Sequence, residues 1–434
     1  MTKTKITMTS GPSPLVLGIC LFLAVTMCSS AGVVFDIITN TKEVPPFLAV
    51  FWRLFLQNTV QFFPFIWSLH KEWRRDKDKK MTNFHEASLQ LYVEGGLDLN
   101  DADKNSQQIE EDEHSSLLLP RYISSLALCT VSGIFLGIHF SMWVYSLRYT
   151  SLTHSMLWVS MGPICINGAS WFFFSLGQRQ CIISALGVIS ISIPIMRKPS
   201  SKETFGALAG IGGAVIMLIG VHKNAFVAEV TNVPGKHVIQ SNHEPTLYGD
   251  ASAFAGAAAV SAYLVIGQKL RSFLPIWLYV FPVVGSAALS SLVFALIDEE
   301  DPTTWRGYTE KSVFGFLSKE YFLYALYLAV GPGICGHTLL NILLKYVSPL
   351  VITTAMLTEP IIGSIIGYYL GLQSLPGTNT WIGGGLLMVG LVLVVVGESN
   401  VTSVDRNNEK ASENLVKSNG YGSINSIPLD SNEE

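Results

Sequence analysis

The segment Leu147-Arg148-Tyr149-Thr150-Ser151, in the first half of the chain, returns in the second half as Leu344-Lys345-Tyr346-Val347-Ser348. In each copy a proline follows the tyrosine after 14 residues, Pro163 in the first copy and Pro360 in the second. Both copies lie among apolar segments long enough to cross a bilayer. The segment therefore indicates an internally duplicated chain of membrane-spanning helices.

A second pattern repeats with it, near the end of each half. Each half has three glycines spaced seven residues apart within an apolar stretch. They are Gly206, Gly213 and Gly220 in the first half and Gly383, Gly390 and Gly397 in the second. Internal duplication of a polytopic membrane protein is the usual build of a secondary transporter, with the substrate site between the two halves.

The composition agrees with a membrane location. The 434 residues are 49% hydrophobic, 14% are charged, and the mean hydropathy is +0.40. Ordinary globular domains carry about 25% charged residues, so the deficit indicates lipid-facing surface. The six cysteines lie in apolar stretches without a CxxC pair, which favours buried core residues over metal ligands or disulfides. These cysteines are Cys20, Cys28, Cys129, Cys165, Cys181 and Cys335.

Ten segments are apolar enough to span a bilayer, which takes about 20 residues. They are residues 14–38, 47–69, 123–146, 153–176, 204–221, 248–268, 274–297, 321–344, 349–371 and 380–397. A cleaved signal peptide is the competing interpretation of the first segment, because Lys3 and Lys5 precede it and Ser29-Ser30-Ala31 resembles a cleavage site. The ten-span interpretation is favoured, since cleavage would remove a helix from the first repeat.

Residues 181–196 form an additional hydrophobic segment that is short and contains Pro194. If this segment does not cross, more of the lysines and arginines fall on the cytoplasmic side than if it does. The positive-inside bias therefore favours ten spans with both termini cytoplasmic and residues 181–196 as a re-entrant or interfacial insertion. Spacing from the repeat leaves open the alternative that residues 181–196 are the true fifth span.

The predicted fold class is an all-α polytopic membrane protein, with ten helices as two inverted five-helix repeats. An odd number of spans in each half makes the two repeats antiparallel. The expected domains are a first repeat at 14–221, a linker at 222–247, a second repeat at 248–397 and a disordered cytoplasmic tail at 398–434. The first repeat would include a cytoplasmic loop at 70–120, whose basic start we expect to touch anionic lipid headgroups.

The second half resembles the EamA-like family of the drug/metabolite transporter superfamily. The resemblance rests on Gly249-Asp250 and on a span ending Ala262-Tyr263-Leu264-Val265-Ile266-Gly267-Gln268. It continues through Gly336-His337-Thr338-Leu339-Leu340-Asn341, Leu344-Lys345-Tyr346, Thr358-Glu359-Pro360 and the glycine-rich helix from Gly383. The first half resembles the family through Arg53, Leu147-Arg148-Tyr149-Thr150 and Pro163. The resemblance implies ten helices in two inverted repeats and transport of small metabolites without ATP hydrolysis.

This chain departs from the family pattern at two places. Gly177-Gln178-Arg179 stands where the family often has an acidic residue after its fourth span. Residues 181–196 are an unusual insertion. Both departures concern the fourth and fifth helices.

Polar residues inside the spans are the candidate substrate site, because an ionisable group in a membrane needs a cavity or a partner. Arg53 shares a helical stripe with Gln57 and Gln61, and its planar fork of donors suits a carboxylate. The alternative is an arginine that extends toward the interface. His139, Tyr263, His337 and Asn341 are further candidates for contact with the solute, and each could instead form hydrogen bonds between helices.

Glu359 lies near the middle of its predicted span, directly before Pro360. Such a carboxyl could bind and release a proton during transport, with His337 as a second proton site, or it could be a structural partner of a neighbouring helix. Pro360 frees a backbone carbonyl and favours a kink. Pro332 and Gly333 are hinge candidates within Gly331–Gly336, whose match to the dinucleotide motif G-x-G-x-x-G is rejected because it lies mid-span.

The leading functional hypothesis is a secondary transporter of a small polar metabolite, such as an amino acid, by alternating access. The alternative is a non-transporting receptor or scaffold with the same fold. No hydrolase or P-loop motif is present in the sequence, so we expect neither an enzyme nor a cofactor. We also expect no nucleic-acid partner, because the only basic cluster is short and is followed by acidic residues.

Two short motifs resemble sorting signals that bind adaptor proteins, an acidic dileucine at Glu113–Leu118 and Tyr421-Gly422-Ser423-Ile424. The expected location is the plasma membrane or an endomembrane of vacuolar or lysosomal type. The oligomeric state is left open between a monomer and a homodimer.

Overall fold

The computed structural model describes residues 12–95, 118–150, 152–175, 180–185, 189–194, 200–230, 246–298, 311–369, 378–379, 381–394 and 396–397. The two sorting motifs lie outside these ranges, apart from Leu118. Within the ranges, the structure is helical except for one two-stranded hairpin.

Six helices and the hairpin make up the first half of the described chain. They are α1 (Pro14–Asp36), continued by a π turn at Ile37–Thr41, α2 (Pro46–Gly95), α3 (Leu118–Ser146), α4 (Leu152–Val159), α5 (Gly162–Ser175), β1 (Gln180–Ala185), β2 (Ile189–Pro194) and α6 (Ser201–Val230). The predicted fourth span is thus divided into α4 and α5 by a short break.

The described part of the second half has seven α-helices, a π segment and a short 3₁₀ turn at Gly315–Leu317. The helices and the π segment are α7 (Leu247–Arg271), α8 (Ile276–Asp298), α9 (Phe322–Leu328), the π segment (Ala329–Thr338), α10 (Leu339–Leu343), α11 (Pro349–Met356), α12 (Glu359–Tyr369) and α13 (Trp381–Val394). The predicted eighth span is therefore α9, the π segment and α10 in succession, and the ninth is α11 and α12.

Local sequence fixes where several helices begin. Side-chain oxygens of Ser13, Thr246 and Ser348 accept hydrogen bonds from backbone amides three residues ahead, at 3.4, 3.1 and 3.3 Å, and so cap α1, α7 and α11. Before α6, the amide of Ser200 donates to Glu203 Oε2 and the amide of Glu203 donates to Ser200 Oγ, a reciprocal capping box. Such contacts satisfy amides that the first helical turn leaves unpaired.

The surface of the helices is that of a multi-pass membrane protein. Five helical segments are long and apolar enough to cross a membrane, and two shorter apolar helices accompany them. These segments are Pro14–Thr41, Ser125–Ser146, Leu247–Arg271, Ile276–Asp298 and Phe322–Leu343, with Pro349–Gly363 and Trp381–Val394 as the shorter two. Leu15, Ile19 and Phe22 show the pattern, because they lie on one stripe of α1 and all point outward.

Three parts of the chain differ from the expected organisation. Residues 70–95, predicted as the start of a loop, continue α2 to Gly95. Residues 222–230, predicted as linker, continue α6 to Val230. The described residues of the insertion, 181–185 and 189–194, contain no helix. Its described residues form an antiparallel hairpin in which Gln180 pairs with Pro194 and Ala185 with Ile189, so a helical fifth span at this place is wrong.

The two halves pack into one another. Helix α3 packs against α7 and α8, while α1 packs against the π segment and α12, and α2 packs against α8. Their shared interior is apolar and includes the fully buried side chains of Trp52, Tyr263 and Tyr279. Helices α6 and α13 meet through glycines, since a Cβ built on Gly206 would lie 2.7 Å from the carbonyl oxygen of Gly390.

Candidate functional site

A buried arginine is the central feature of the interior between the two halves. Arg53 of α2 has 0% of its surface exposed, and its Cζ lies 4.1 Å from the ring centroid of Phe140 and 5.7 Å from that of Phe35. None of its Nε, Nη1 and Nη2 atoms has a hydrogen-bond partner. Removing a cation from water costs several kcal/mol unless a partner compensates it. The three guanidinium nitrogens are therefore buried without compensation from another residue.

A buried carboxyl lies in the same interior. Glu359, 4% exposed, is the first residue of α12, and its Oε1 has no hydrogen-bond partner. The field of Arg53 acts on this carboxyl, and Cys28 of α1 senses both charges. Arg53 and Glu359 nevertheless form no ion pair within 4.0 Å. A basic and an acidic side chain thus share one buried region without forming a direct ion pair.

Two histidines flank the aromatic ring that covers Arg53. The rings of His139 and His337 are 6.3 Å apart, and each lies 4.8 Å from the ring of Phe140. His139 Nδ1 is 3.0 Å from the carbonyl oxygen of Gly256 on α7. Because a carbonyl only accepts, Nδ1 carries the proton, and Nε2 is then the acceptor in the neutral ring. We name Arg53, Phe140, His139, His337 and Glu359 the Arg53 cluster.

The two glutamines on the Arg53 stripe are buried, but they have structural partners. Gln57 Nε2 donates to the carbonyl oxygen of Gly333 at 3.1 Å. Gln61 Nε2 donates to Thr338 Oγ1 at 2.9 Å. Both bonds hold α2 against the π segment. The shared stripe was correctly predicted, yet only Arg53 on it has all of its side-chain donors free.

Tyr263 and Asn341 form a separate network beside the cluster. Tyr263 Oη donates to Asn341 Oδ1 at 2.5 Å, and Asn341 Nδ2 donates to the carbonyl oxygen of His337 at 2.9 Å. Arg271 Nε, from the end of α7, donates to the carbonyl oxygen of Asn341 at 3.0 Å. These bonds join α7 to α10. Tyr263 and Asn341 thus form the hydrogen bonds between helices that were the alternative to contact with the solute.

The three hinge candidates all lie at irregular backbone. Pro332 and Gly333 are inside the ten-residue π segment, and Pro360 follows the turn that separates α11 from α12. The amides of Ile361 and Ile362 both donate to the carbonyl oxygen of Thr358, which begins the new helix. Glu359 therefore sits in the first turn of α12, where the helix dipole favours a negative charge.

Sequence reasoning missed the aromatic part of the site. Phe140 and Phe35 contact Arg53 from two other helices, and Trp143 packs edge-on to Phe35 at 5.8 Å. An aromatic residue in a membrane helix is ordinary, and no periodicity distinguishes these from lipid-facing rings. The adjacency of Phe140 to His139 in the chain was the one available signal.

Comparisons with known proteins agree with this architecture. Residues 247–396 match the family model of the EamA-like transporter family, which confirms the predicted resemblance over that segment. Chains of solved structures also match, 19 in number. One, described only as the crystal structure of a protein, has a TM-score of 0.50 and 15% identity over 88% of this chain and 98% of its own. At that identity the likeness concerns the fold alone. No curated protein matches the chain.

Proposed function

We propose that the chain is a secondary transporter of a small polar metabolite, such as an amino acid, and that the solute binds Arg53 through a carboxylate. The observation that carries the proposal is the fully buried guanidinium with three unpartnered nitrogens. Its face is covered by Phe140, so its edge is left for a ligand. Arginine binds carboxylates through two parallel hydrogen bonds along such an edge. The family match at residues 247–396 supports transport as the activity.

The proposed architecture is ten spans in two inverted repeats, and reciprocal packing supports it. Helix α3, the third span, packs on the sixth span, α7, while the eighth span packs on the first, α1. The third span also packs on the seventh, and the eighth on the second. The fourth span packs on the sixth, and the ninth on the first. If each span is replaced by its equivalent in the other half, every one of these contacts becomes another contact in the set. A two-fold axis between the halves has this property.

Glycine contacts support the inverted direction. The backbone of Gly206 meets that of Gly390, and the backbone of Gly213 meets that of Gly383. In the sequence repeat, Gly206 corresponds to Gly383 and Gly213 to Gly390, so the equivalent residues exchange partners. The first glycine of α6 meets the later one of α13, and the two helices therefore run antiparallel. Antiparallel fifth and tenth spans belong to repeats of opposite orientation.

The irregular segments are the proposed moving parts. A π-helix is a rare interruption of regular α-helical hydrogen bonding, and it often occurs at functional sites. Here the π segment contains His337, and Glu359 begins α12 directly after the break that separates it from α11. Small changes at Pro332, Gly333 and Pro360 would therefore move His337 and Glu359 relative to Arg53. Glu359 is the proposed proton site, with His337 as a second one, in a cycle of alternating access.

Solute flux tests the proposal. The protein is purified in detergent, screened against amino acids and other carboxylates by thermal shift, and reconstituted into liposomes with each stabilising solute. A ligand present at 100 times its Kd stabilises the folded form by about 2.7 kcal/mol. We expect uptake by the wild type and loss of both shift and uptake in Arg53→Gln.

Two outcomes would contradict the proposal. If no carboxylate moves across the liposome membrane while a solute still binds, the chain is a receptor or scaffold that keeps the transporter fold. If amino and carboxyl termini label from opposite faces of the membrane, the ten-span arrangement fails. We propose both termini on the cytoplasmic side, in the plasma membrane or an endomembrane.

A further inference from the structure

The described residues contain four buried charged side chains, and two of them lack partners. Arg271 donates to backbone carbonyl oxygens, and Glu203 belongs to the cap of α6. Arg53 and Glu359 are the other two. All three guanidinium nitrogens and one carboxyl oxygen are buried without hydrogen bonds. Arg53 and Glu359 therefore lie in one buried region with no ion pair between them and no other partner for these atoms.

A charged ligand that binds here changes the net charge of the buried region, where the dielectric constant is low. With Arg53 charged and Glu359 ionised, the interior has no net charge. An anion at Arg53 would leave one uncompensated negative charge, and isolated buried charges cost several kcal/mol. Among the titratable groups in contact with this region, Cys28, His139 and His337 surround the pair. Glu359 is the one carboxyl among them, so in the proposed cycle a proton on its carboxylate restores neutrality.

We propose that Arg53 and Glu359 load a carboxylate of single negative charge together with one proton, so that the loaded and the empty sites are both neutral. This inference rests on the proposed function and specifies its substrate class and stoichiometry. The carboxylate accepts two hydrogen bonds from Arg53, and a proton from water binds a Glu359 oxygen. Release on the other side returns the carboxylate and the proton to water, and the ion balance of Arg53 and Glu359 is restored.

The charge inventory also excludes phosphorylated solutes. A phosphate monoester carries about −1.5 to −2 charges at neutral pH, and its tetrahedral oxygens project in several directions. Among the residues that the structure describes, Arg53 is the one buried cation without a partner, and Phe140 covers one face of its plane. A planar carboxylate matches the free edge, whereas a phosphate would bring uncompensated charge.

Paired probes test the inference in proteoliposomes. Leucine and N-acetylleucine differ in the ammonium group, so one is a zwitterion and the other a monoanion at neutral pH. Alanine and N-acetylalanine form a second pair. Uptake of each radiolabelled probe is measured with an imposed pH gradient and, separately, with a potassium diffusion potential set by valinomycin. For the wild type we expect the N-acetyl compound to accumulate about tenfold per unit of inward pH gradient, without response to potential.

Replacement of Glu359 by Gln gives the sharpest comparison, because it keeps the shape and removes the acid. The empty Glu359→Gln site has one positive charge and the loaded site none, so each cycle carries the charge of the solute. Accumulation should then ignore the pH gradient and follow an inside-positive potential, about tenfold for about 60 mV. Glu359→Asp should restore electroneutral, proton-driven uptake. Gly385→Ala, at a lipid-facing position with open space, is the control for purification and reconstitution.

The possible failures are distinct. Wild-type uptake of N-acetylleucine that follows the potential would overturn electroneutral loading and leave the proposed function intact. Uptake of leucine alone, independent of both gradients, would also overturn it and would place an ammonium group rather than a proton on Glu359. Glu359→Gln uptake that is still driven by pH would remove Glu359 as the proton site. If other monocarboxylates move but none of the four probes does, electroneutral uptake of those monocarboxylates supports the inference, and uptake of them that follows the potential overturns it. Absence of any flux contradicts the proposed function itself.

Discussion

Gly206 and Gly390 occupy each other's side-chain space. A Cβ built on Gly206 would lie 2.7 Å from the carbonyl oxygen of Gly390, and one built on Gly390 would lie 2.5 Å from the carbonyl oxygen of Gly206. The two backbones therefore approach as closely as helices can. Small residues at such crossings give membrane helices their van der Waals contact, because lipid provides no hydrophobic drive for association.

Replacement of Gly206 or Gly390 by alanine should therefore destabilise the protein. The methyl group meets backbone atoms that cannot rotate away, and overpacking of this kind costs about 1–3 kcal/mol. The measurement is the midpoint of thermal unfolding in detergent. Gly385→Ala, on the outer side of α13, adds the same methyl group into open space and should leave the midpoint unchanged. Equal midpoints for Gly390→Ala and Gly385→Ala would show that the seam between α6 and α13 is not closely packed.

The helices were predictable where hydropathy and helix capping agree, and less so elsewhere. Apolar length places α7 and α8 within a few residues of their observed bounds. Hydropathy could not show that α2 continues to Gly95, because it measures preference for lipid and not for helix. Residues 70–94 contain no proline or glycine and are rich in residues that favour helices. Helix propensity along this polar stretch was the signal that hydropathy ignores.

The sequence was sufficient to predict which polar residues lie in the candidate site, but not which contacts they make. The spacing of Arg53, Gln57 and Gln61 does place them on one stripe. In the structure Gln57 donates to the carbonyl oxygen of Gly333 and Gln61 to Thr338 Oγ1, both in the π segment, whereas Arg53 has no such partner. A single sequence carries no information on which of two polar side chains will find such a partner.

Gly333→Ala should destabilise the contact between α2 and the π segment. The added Cβ would lie 2.6 Å from Gln57 Oε1, so the side chain that binds the Gly333 carbonyl oxygen must move. We expect the double variant Gln57→Ala/Gly333→Ala to be more stable than the sum of the single changes, with a coupling of about 0.5–3 kcal/mol. Thermal unfolding of the four proteins of this cycle measures it.

The matched control for that cycle is Gly331→Ala, two residues earlier in the π segment. Its nearest neighbour would be Tyr327 Cε2 at 3.4 Å, an ordinary contact, and we expect little change in the midpoint. Additive effects of Gln57→Ala and Gly333→Ala would show that the two residues do not interact through this space.

Phe140→Leu should weaken solute binding more than Phe35→Leu does. The guanidinium lies 4.1 Å from the Phe140 ring and 5.7 Å from the Phe35 ring, and a desolvated cation over an aromatic face gains about 2 kcal/mol. Without the Phe140 ring, the guanidinium of Arg53 is no longer held in the orientation that directs its N–H groups toward the solute. We expect the affinity for a carboxylate identified by thermal shift to fall about tenfold for Phe140→Leu. Equal losses for the two variants would contradict a specific role for Phe140.

Charge reversal at Lys42 should open one face of the protein. Lys42 Nζ lies 2.6 Å from Glu320 Oε1, and Lys311 Nζ lies 3.4 Å from Glu43 Oε2, so two ion pairs join the segment after α1 to the segment before α9. In the proposed topology this face is opposite the cytoplasm. Buried Cys28 reports its opening, because a maleimide reaches the thiol only when the helices separate. We expect faster labelling of Cys28 in Lys42→Glu, measured by peptide mass spectrometry.

The charge swap and the pH dependence make this prediction specific. Lys42→Glu/Glu320→Lys restores opposite charges and should return labelling to the wild-type rate, whereas Lys42→Glu alone should not.

The hydrogen bond to Glu320 raises the pKa of the Lys42 ammonium. A raised value in the folded protein means that the contribution of the pair is complete below the ordinary lysine pKa, about 10.4, and is lost as pH rises through the raised value. Wild-type labelling of Cys28, corrected for the thiolate fraction with an unfolded reference peptide, should stay constant from neutral pH to about pH 9. A corrected rate that climbs within that interval would show that another contact, not this ion pair, keeps the face closed.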